Sequence, residues 1–284
     1  MKRLLTQITV LLITNLNLKG FITGTIYQGK LKNICVPGLN CYSCPGALGS
    51  CPIGALQAVA GSANYRFSFY VFGFMSLIGT LLGRFVCGWL CPFGLFQDLL
   101  SKIKVKKCGL PPRIDRILRM LKYAILLFPV LLLPMLLTNQ FGISPPYFCQ
   151  YICPSGTLMG GIPLIITNPS LREAAGFLFH WKIGVLLLFT ISSLVLYRPF
   201  CKYICPLGAF YALFNRISLY RIQIDPHTCI NCGACEKSCH MQVPVHAKPN
   251  HSECIRCGSC RKACPTQALS CGFLHNARSN KTVS

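Results

Sequence analysis

Cys229-Ile-Asn-Cys232-Gly-Ala-Cys235-Glu-Lys-Ser-Cys239 and Cys254-Ile-Arg-Cys257-Gly-Ser-Cys260-Arg-Lys-Ala-Cys264-Pro265 decide how this chain is read. Each run is Cys-x2-Cys-x2-Cys-x3-Cys. In that spacing one tight loop offers three thiolates to three irons of a cubane, and the fourth cysteine leaves on a helix for the other cluster. On that logic Cys229, Cys232, Cys235 and Cys264 hold one 4Fe-4S cluster, and Cys254, Cys257, Cys260 and Cys239 hold a second. Gly233 and Gly258 are read as relieving crowding where backbone passes close to sulfide, and His240 stands where the first run would often carry proline. A zinc ribbon needs only four ligands in paired intervals, and cytoplasmic thiols stay reduced, so zinc and disulfides fit less well.

Upstream of this module the composition changes the setting. The 284 residues are 52% hydrophobic and 12% charged, against about 25% charged in an ordinary soluble domain. The expectation is an α-helical membrane domain over residues 1–220, with about four transmembrane helices, followed by an α+β two-cluster ferredoxin-like domain over residues 221–284. Residues 4–26, 67–86, 117–137 and 177–197 meet the roughly 20 apolar residues that a crossing needs. The first is diluted by Thr6, Gln7, Thr14, Asn15, Asn17 and Lys19, and is read as an uncleaved span. Residues 158–167, broken by Gly160, Gly161 and Pro163, are too short to cross and read as re-entrant.

Lys102, Lys104, Lys106, Lys107, Arg113, Arg116, Arg119 and Lys122 crowd the segment between the second and third stretches. That places this loop, the N-terminus and everything after Tyr197 on the cytoplasmic side of a cell inner membrane. The 28 basic residues against 6 acidic ones give a formal charge of +22. Because the charges flank apolar runs, they suit anionic lipid or an acidic redox partner rather than nucleic acid.

Three Cys-x3-Cys-Pro elements lie in the membrane part: Cys87 to Cys91, Cys149 to Cys153, and Cys201 to Cys205. An irregular relative, Cys41-Tyr-Ser-Cys44-Pro45, precedes Cys51-Pro52-Ile-Gly54. Four Cys-Pro-x-Gly units thus recur, as in an internal repeat. Proline suits a first helical turn, and a helix N-terminus favours thiolate. Cys87, Cys91, Cys201 and Cys205 are expected to meet at the cytoplasmic boundary around a third cluster. Cys149 and Cys153 are expected outside, with Cys35, Cys41, Cys44 and Cys51 as companions, around a fourth cluster or in disulfides. Cys108 and Cys271 match no motif and are read as free thiols.

With these elements in view, the chain resembles the NapH-type polytopic membrane ferredoxins. That family combines four membrane helices, Cys-x3-Cys-Pro elements and a C-terminal two-cluster ferredoxin. The likeness runs from Cys44-Pro45-Gly46-Ala47 to Cys264-Pro265, and the element at Cys149 and Cys153 exceeds the two usual there. The resemblance implies a quinol dehydrogenase component that passes electrons from the membrane pool toward a reductase.

Haem, nicotinamide and nucleotide-triphosphate chemistries lack their residues, while a flavin held without a motif stays open. His180 alone lies near a membrane stretch, so paired haem-b histidines are missing, and no Cys-x2-Cys-His, Gly-x-Gly-x2-Gly or P-loop occurs. Glu173 and His180 are the titratable candidates for accepting quinol protons, while Trp181 and Lys182 read as an interfacial belt residue and a snorkelling lysine. The expected function is electron relay between the quinone pool and another redox protein. The alternative is an accessory electron donor for metal-centre assembly in another membrane complex, which need not react with quinol.

Overall fold

A computed structural model describes residues 2–61, 69–105, 107, 109–139, 144–173 and 175–273; Lys106 and Cys108 lie outside them. Among the described residues two helices are long and apolar enough to cross a bilayer, Pro112–Leu136 with 25 residues and Phe177–Val195 with 19. Pro112 occupies the first turn of the former, where its missing N–H costs nothing. Pro129 falls inside it, and the hydrogen-bond ladder widens to π-turns through Leu126–Leu132.

Two expected stretches come out shorter. Phe69–Leu82 is an apolar helix of 14 residues, and residues 62–68 lie outside the description. The first stretch is two helices, Lys2–Thr14 and Leu18–Thr23. Asn15 Nδ2 donates back to Leu11 O at 2.9 Å and Asn17 Nδ2 donates to Pro45 O at 2.8 Å. Such side-chain competition for backbone partners ends helices.

The segment before the Pro52–Ala60 helix turns inward. A 3-10 turn at Lys30–Asn33 and a bridge between Cys35 and Ser50 shape it. A Cβ on Gly38 would lie 2.9 Å from Leu90 O and 3.0 Å from Cys91 Cα, so this loop reaches the Cys87–Cys91 turn.

In the C-terminal part, β1 (Tyr220–Ile224) pairs antiparallel with β2 (Leu269–Phe273), Ile222 opposite Cys271. Between them the two cysteine loops repeat one shape. Asn231 and Gly233 match Arg256 and Gly258, all with positive φ, and Gln242 matches Gln267. Gly233 and Gly258, at φ 70° and 80°, occupy the left-handed region that glycine enters freely. Arg256 ties this part to the helices, donating to Leu82 O at 2.6 Å and Asn215 O at 2.9 Å. Asn215 Nδ2 donates to Cys254 O at 3.0 Å, and Trp89 Nε1 donates to Arg256 O at 3.0 Å.

Candidate metal centres

Every Cys-Pro-x-Gly unit opens a helix. Cys51, Cys91, Cys153 and Cys205 are N-caps in extended backbone, followed by proline at the first position. A residue before proline avoids the helical region, and proline at that position loses no hydrogen bond, so the dipeptide sets the cap.

Four groups of four thiols come together. Cys229, Cys232, Cys235 and Cys264 line one small cavity. Cys254 lies within electrostatic reach of Cys257 and Cys239, and Cys260 within reach of Cys254 and Cys257, which forms a second group. Cys205 faces Cys201, Cys87 and Cys91 in a third. Cys149 faces Cys153, Cys51 and Cys41 in a fourth. Cys44 lies within electrostatic reach of Cys41 but is not among the thiols facing Cys149, and its Sγ donates to Asn15 Oδ1 at 3.5 Å; Cys35 is held by its backbone bridge to Ser50. Cys271 sits on β2.

The donor sets suit a polynuclear group. Among the described residues all cysteines are free thiols, and no three His, Cys, Asp or Glu side chains converge closely enough to hold a single ion. A 4Fe-4S cubane takes four thiolates, one on each iron, and each group gathers four. Burial pushes the Cys254 and Cys260 thiols up to about 12. Metal binding must therefore displace those protons.

The third group is built twice from one pattern. Arg84-Phe-Val-Cys87 leads to Cys91-Pro92-Phe-Gly94, and Arg198-Pro-Phe-Cys201 leads to Cys205-Pro206-Leu-Gly208. The arginines, both 0% exposed, cross over. Arg84 Nη2 donates to Cys201 O at 3.0 Å, and Arg198 Nη1 donates to Cys87 O at 2.6 Å. A Cβ on Gly94 would lie 3.3 Å from the Arg198 guanidinium, and one on Gly208 would lie 3.4 Å from Arg84 Nη2. The glycine of each unit thus makes room for the opposite arginine.

Carboxylates anchor these cations. Glu253 pairs with Arg84 at 2.5 Å and with Lys122. Asp98 pairs with Arg198, through Nε at 2.7 Å, and with Arg3. Asp115 joins Arg119 at 2.5 Å and Lys202 at 2.6 Å. Three of the chain's 6 acidic residues are therefore buried hubs, each between two cations. Burial pushes the Glu253 carboxyl up, but Arg84 and Lys122 outweigh it and hold it at about 2.

The fourth group repeats the construction. Cys51 and Cys91 each have a glutamine six residues on, in Cys51-Pro-Ile-Gly-Ala-Leu-Gln57 and Cys91-Pro-Phe-Gly-Leu-Phe-Gln97. Gln57 Nε2 donates to Cys149 Sγ at 3.1 Å, and Gln97 Nε2 donates to Cys201 Sγ at 3.1 Å. Lys182, read from sequence as snorkelling, instead turns inward and donates to Cys149 O at 3.3 Å. A mostly apolar cavity of about 620 Å³ opens beside Cys41, Cys51, Cys149 and Cys153. Glu173 and His180 are exposed, and His180 Nδ1 lies 3.2 Å from Gly176 O of its own helix.

Shared neighbours link the third and fourth groups. Leu39, beside Gly38 and Cys91, also lines the cavity of the fourth group. Buried Tyr211 lies within electrostatic reach of Cys87, Cys91 and Cys51, its hydroxyl donating to Pro37 O at 3.0 Å. Sequence reasoning missed Arg84, Arg198, Gln57 and Gln97. Their signal was present as a fixed offset from cysteine, three residues before or six after, seen twice each.

A family profile described as a 4Fe-4S binding domain matches residues 63–111, 123–165 and 177–224, each segment containing one Cys-x3-Cys-Pro element. Two further 4Fe-4S binding domain profiles match residues 221–244 and 247–270. The uncharacterized protein MJ0750 of Methanocaldococcus jannaschii is 34% identical over 208 residues, covering 72% of this chain and 78% of its own. The ferredoxin-type protein NapH of Haemophilus influenzae is 27% identical, over 63% of this chain and 55% of its own. The chain belongs to the NapH-type family of 4Fe-4S ferredoxins. Within that family it is also similar to the putative electron transport protein YccM of Escherichia coli, 30% identical over 60% of this chain. It spans about half the length of NapH and YccM, at 55% and 44%. No solved structure is a significant match. As a NapH-type ferredoxin with multiple cluster-binding segments, the chain carries 4Fe-4S clusters.

Proposed function

We propose that this NapH-type ferredoxin is a multi-pass membrane electron-transfer protein, relaying electrons between the quinone pool and a redox partner, as a quinol dehydrogenase component. The observation that carries this reading is the unbroken succession of four cysteine groups. Cys239 and Cys264 cross between the two ferredoxin groups. Gly88, between Cys87 and Cys91, packs so tightly on the loop between Cys254 and Cys257 that a Cβ there would lie 2.2 Å from Ile255 O. Tyr211 and Leu39 then lead to the group at Cys41, Cys51, Cys149 and Cys153. Bound clusters supply one-electron chemistry, while the chain supplies proximity, dryness and fixed charge.

The membrane part is assigned four crossings. Pro112–Leu136 and Phe177–Val195 span alone, Phe69–Leu82 supplies the described part of a third crossing, and Lys2–Thr14 acts with Leu18–Thr23. The lysine and arginine excess around residues 102–122 supports a cytoplasmic ferredoxin domain in an inner membrane. The 620 Å³ cavity is lined by Cys41, Cys51, Cys149 and Cys153 as well as Ile53, Phe148 and Leu164, so the part a cluster leaves free offers an apolar place for a quinol ring next to it. Glu173 and His180 are the candidate proton acceptors, and anionic lipid would neutralise the basic loop.

The test uses anaerobically purified full-length protein in lipid vesicles, with low-temperature EPR before and after a menaquinol analogue. Reduction of at least one cluster is the expected result. Clusters that dithionite reduces but quinol does not would remove the quinone pool and favour the accessory donor role.

A further inference from the structure

Electron relay requires the cysteines, but it does not by itself require two buried guanidinium groups crossing over the third of their groups. Each donates to the carbonyl of the opposite element's first cysteine, at 3.0 and 2.6 Å, and each is fully enclosed. Arg84 lies within electrostatic reach of Cys87, and Arg198 within reach of Cys91 and Cys201. Arg198 is moreover held at φ 49°, a conformation that non-glycine residues rarely adopt.

We propose that Arg84 and Arg198 are permanent counter-charges that raise the reduction potential of the cluster held by Cys87, Cys91, Cys201 and Cys205. This rests on the reading that those four cysteines hold a cluster. Adding an electron there adds negative charge to a poorly screened interior, and fixed positive charge nearby favours the reduced form. Guanidinium stays protonated at any physiological pH, so the contribution does not titrate away. The carboxylates do not cancel it, because Glu253 also takes Lys122 and Asp98 also takes Arg3.

The fourth group provides an internal comparison. Its thiol-directed hydrogen bond is the same, 3.1 Å from Gln57 as from Gln97. Its cations are lysines, Lys182 at the Cys149 carbonyl and Lys32 toward Cys41. The identity of the cation, guanidinium against ammonium, rather than this sulfur hydrogen bond, distinguishes the two groups.

The experiment is an EPR-monitored redox titration of anaerobically purified full-length parent, Arg198→Gln, Arg84→Gln and Asp98→Asn proteins, with iron content measured on each. Arg198→Gln is expected to reduce the equilibrium constant for reducing one cluster about tenfold, which is about 59 mV for one electron, leaving the signals lost on serine substitution of Cys229 or Cys254 unmoved. Asp98→Asn removes a negative charge and is expected to move the same signal the opposite way. A purely structural arginine would not produce opposite signs. If Arg198→Gln fails to assemble, Arg84→Gln against Asp98→Asn makes the same comparison. Full iron content with no shift overturns the inference alone. Unchanged iron after serine replaces Cys87, Cys91, Cys201 and Cys205 overturns it together with the reading beneath it.

Discussion

Replacing Glu253 by alanine is expected to destabilise the chain by about 3–5 kcal/mol, the usual cost of removing one partner from a buried ion pair. Arg84 and Lys122 would both remain enclosed, 0% exposed at their side chains, with no counter-charge. The effect should concentrate at the junction between helices and ferredoxin domain, because Glu253 stands beside Cys254 while Arg84 stands three residues before Cys87. Denaturant titration of the detergent-solubilised protein, followed through cluster absorbance, measures it. Glu253→Gln, which keeps a polar acceptor, is expected to cost less. A loss below about 1 kcal/mol for the alanine variant would place the pair among exposed ion pairs in energetic terms and contradict its role in docking.

Serine at Cys41, Cys51, Cys149 and Cys153 together is expected to remove one whole cluster, about four irons per chain. Serine at Cys35 and Cys44 together is expected to leave iron content unchanged, since Cys44 faces Asn15 and Cys35 bridges Ser50. Iron analysis of the two variants beside the parent decides between them. Iron lost with Cys44 and kept with Cys41 would mean that the Cys41-x2-Cys44 spacing, rather than the folded geometry, selects the ligands.

These two substitutions mark where sequence reading stops. The ferredoxin groups were legible because their ligands lie in two short runs, and the exchange of Cys239 and Cys264 follows from one helix leaving each loop. Helix starts at Cys-Pro were legible for a similarly local reason, since the dipeptide restricts its own backbone. The companions of Cys149 were not, because Cys41, Cys44, Cys51 and Cys35 all lie in a segment without periodicity, whose path depends on contacts such as Gly38 with Cys91. Asn15 and Asn17 were visible as polar dilution of the first stretch, but their hydrogen bonds to Leu11 O and Pro45 O, which break it, appear only in the folded chain. The arginine and glutamine partners were overlooked because each acts on the opposite element, a pairing that appears only once the chain is folded. With only 6 acidic residues in 284, Asp98, Asp115 and Glu253 were themselves a signal. A carboxylate that rare, beside so many cations, marks a place where charge is organised.

Iron and acid-labile sulfide per chain, in anaerobically purified full-length protein, test the four-centre relay most directly. About 16 of each, four for every cysteine group, is the expected result. About 8 of each would mean that only the ferredoxin domain holds clusters and that the paired Cys-x3-Cys-Pro elements serve the fold alone, which would contradict the relay.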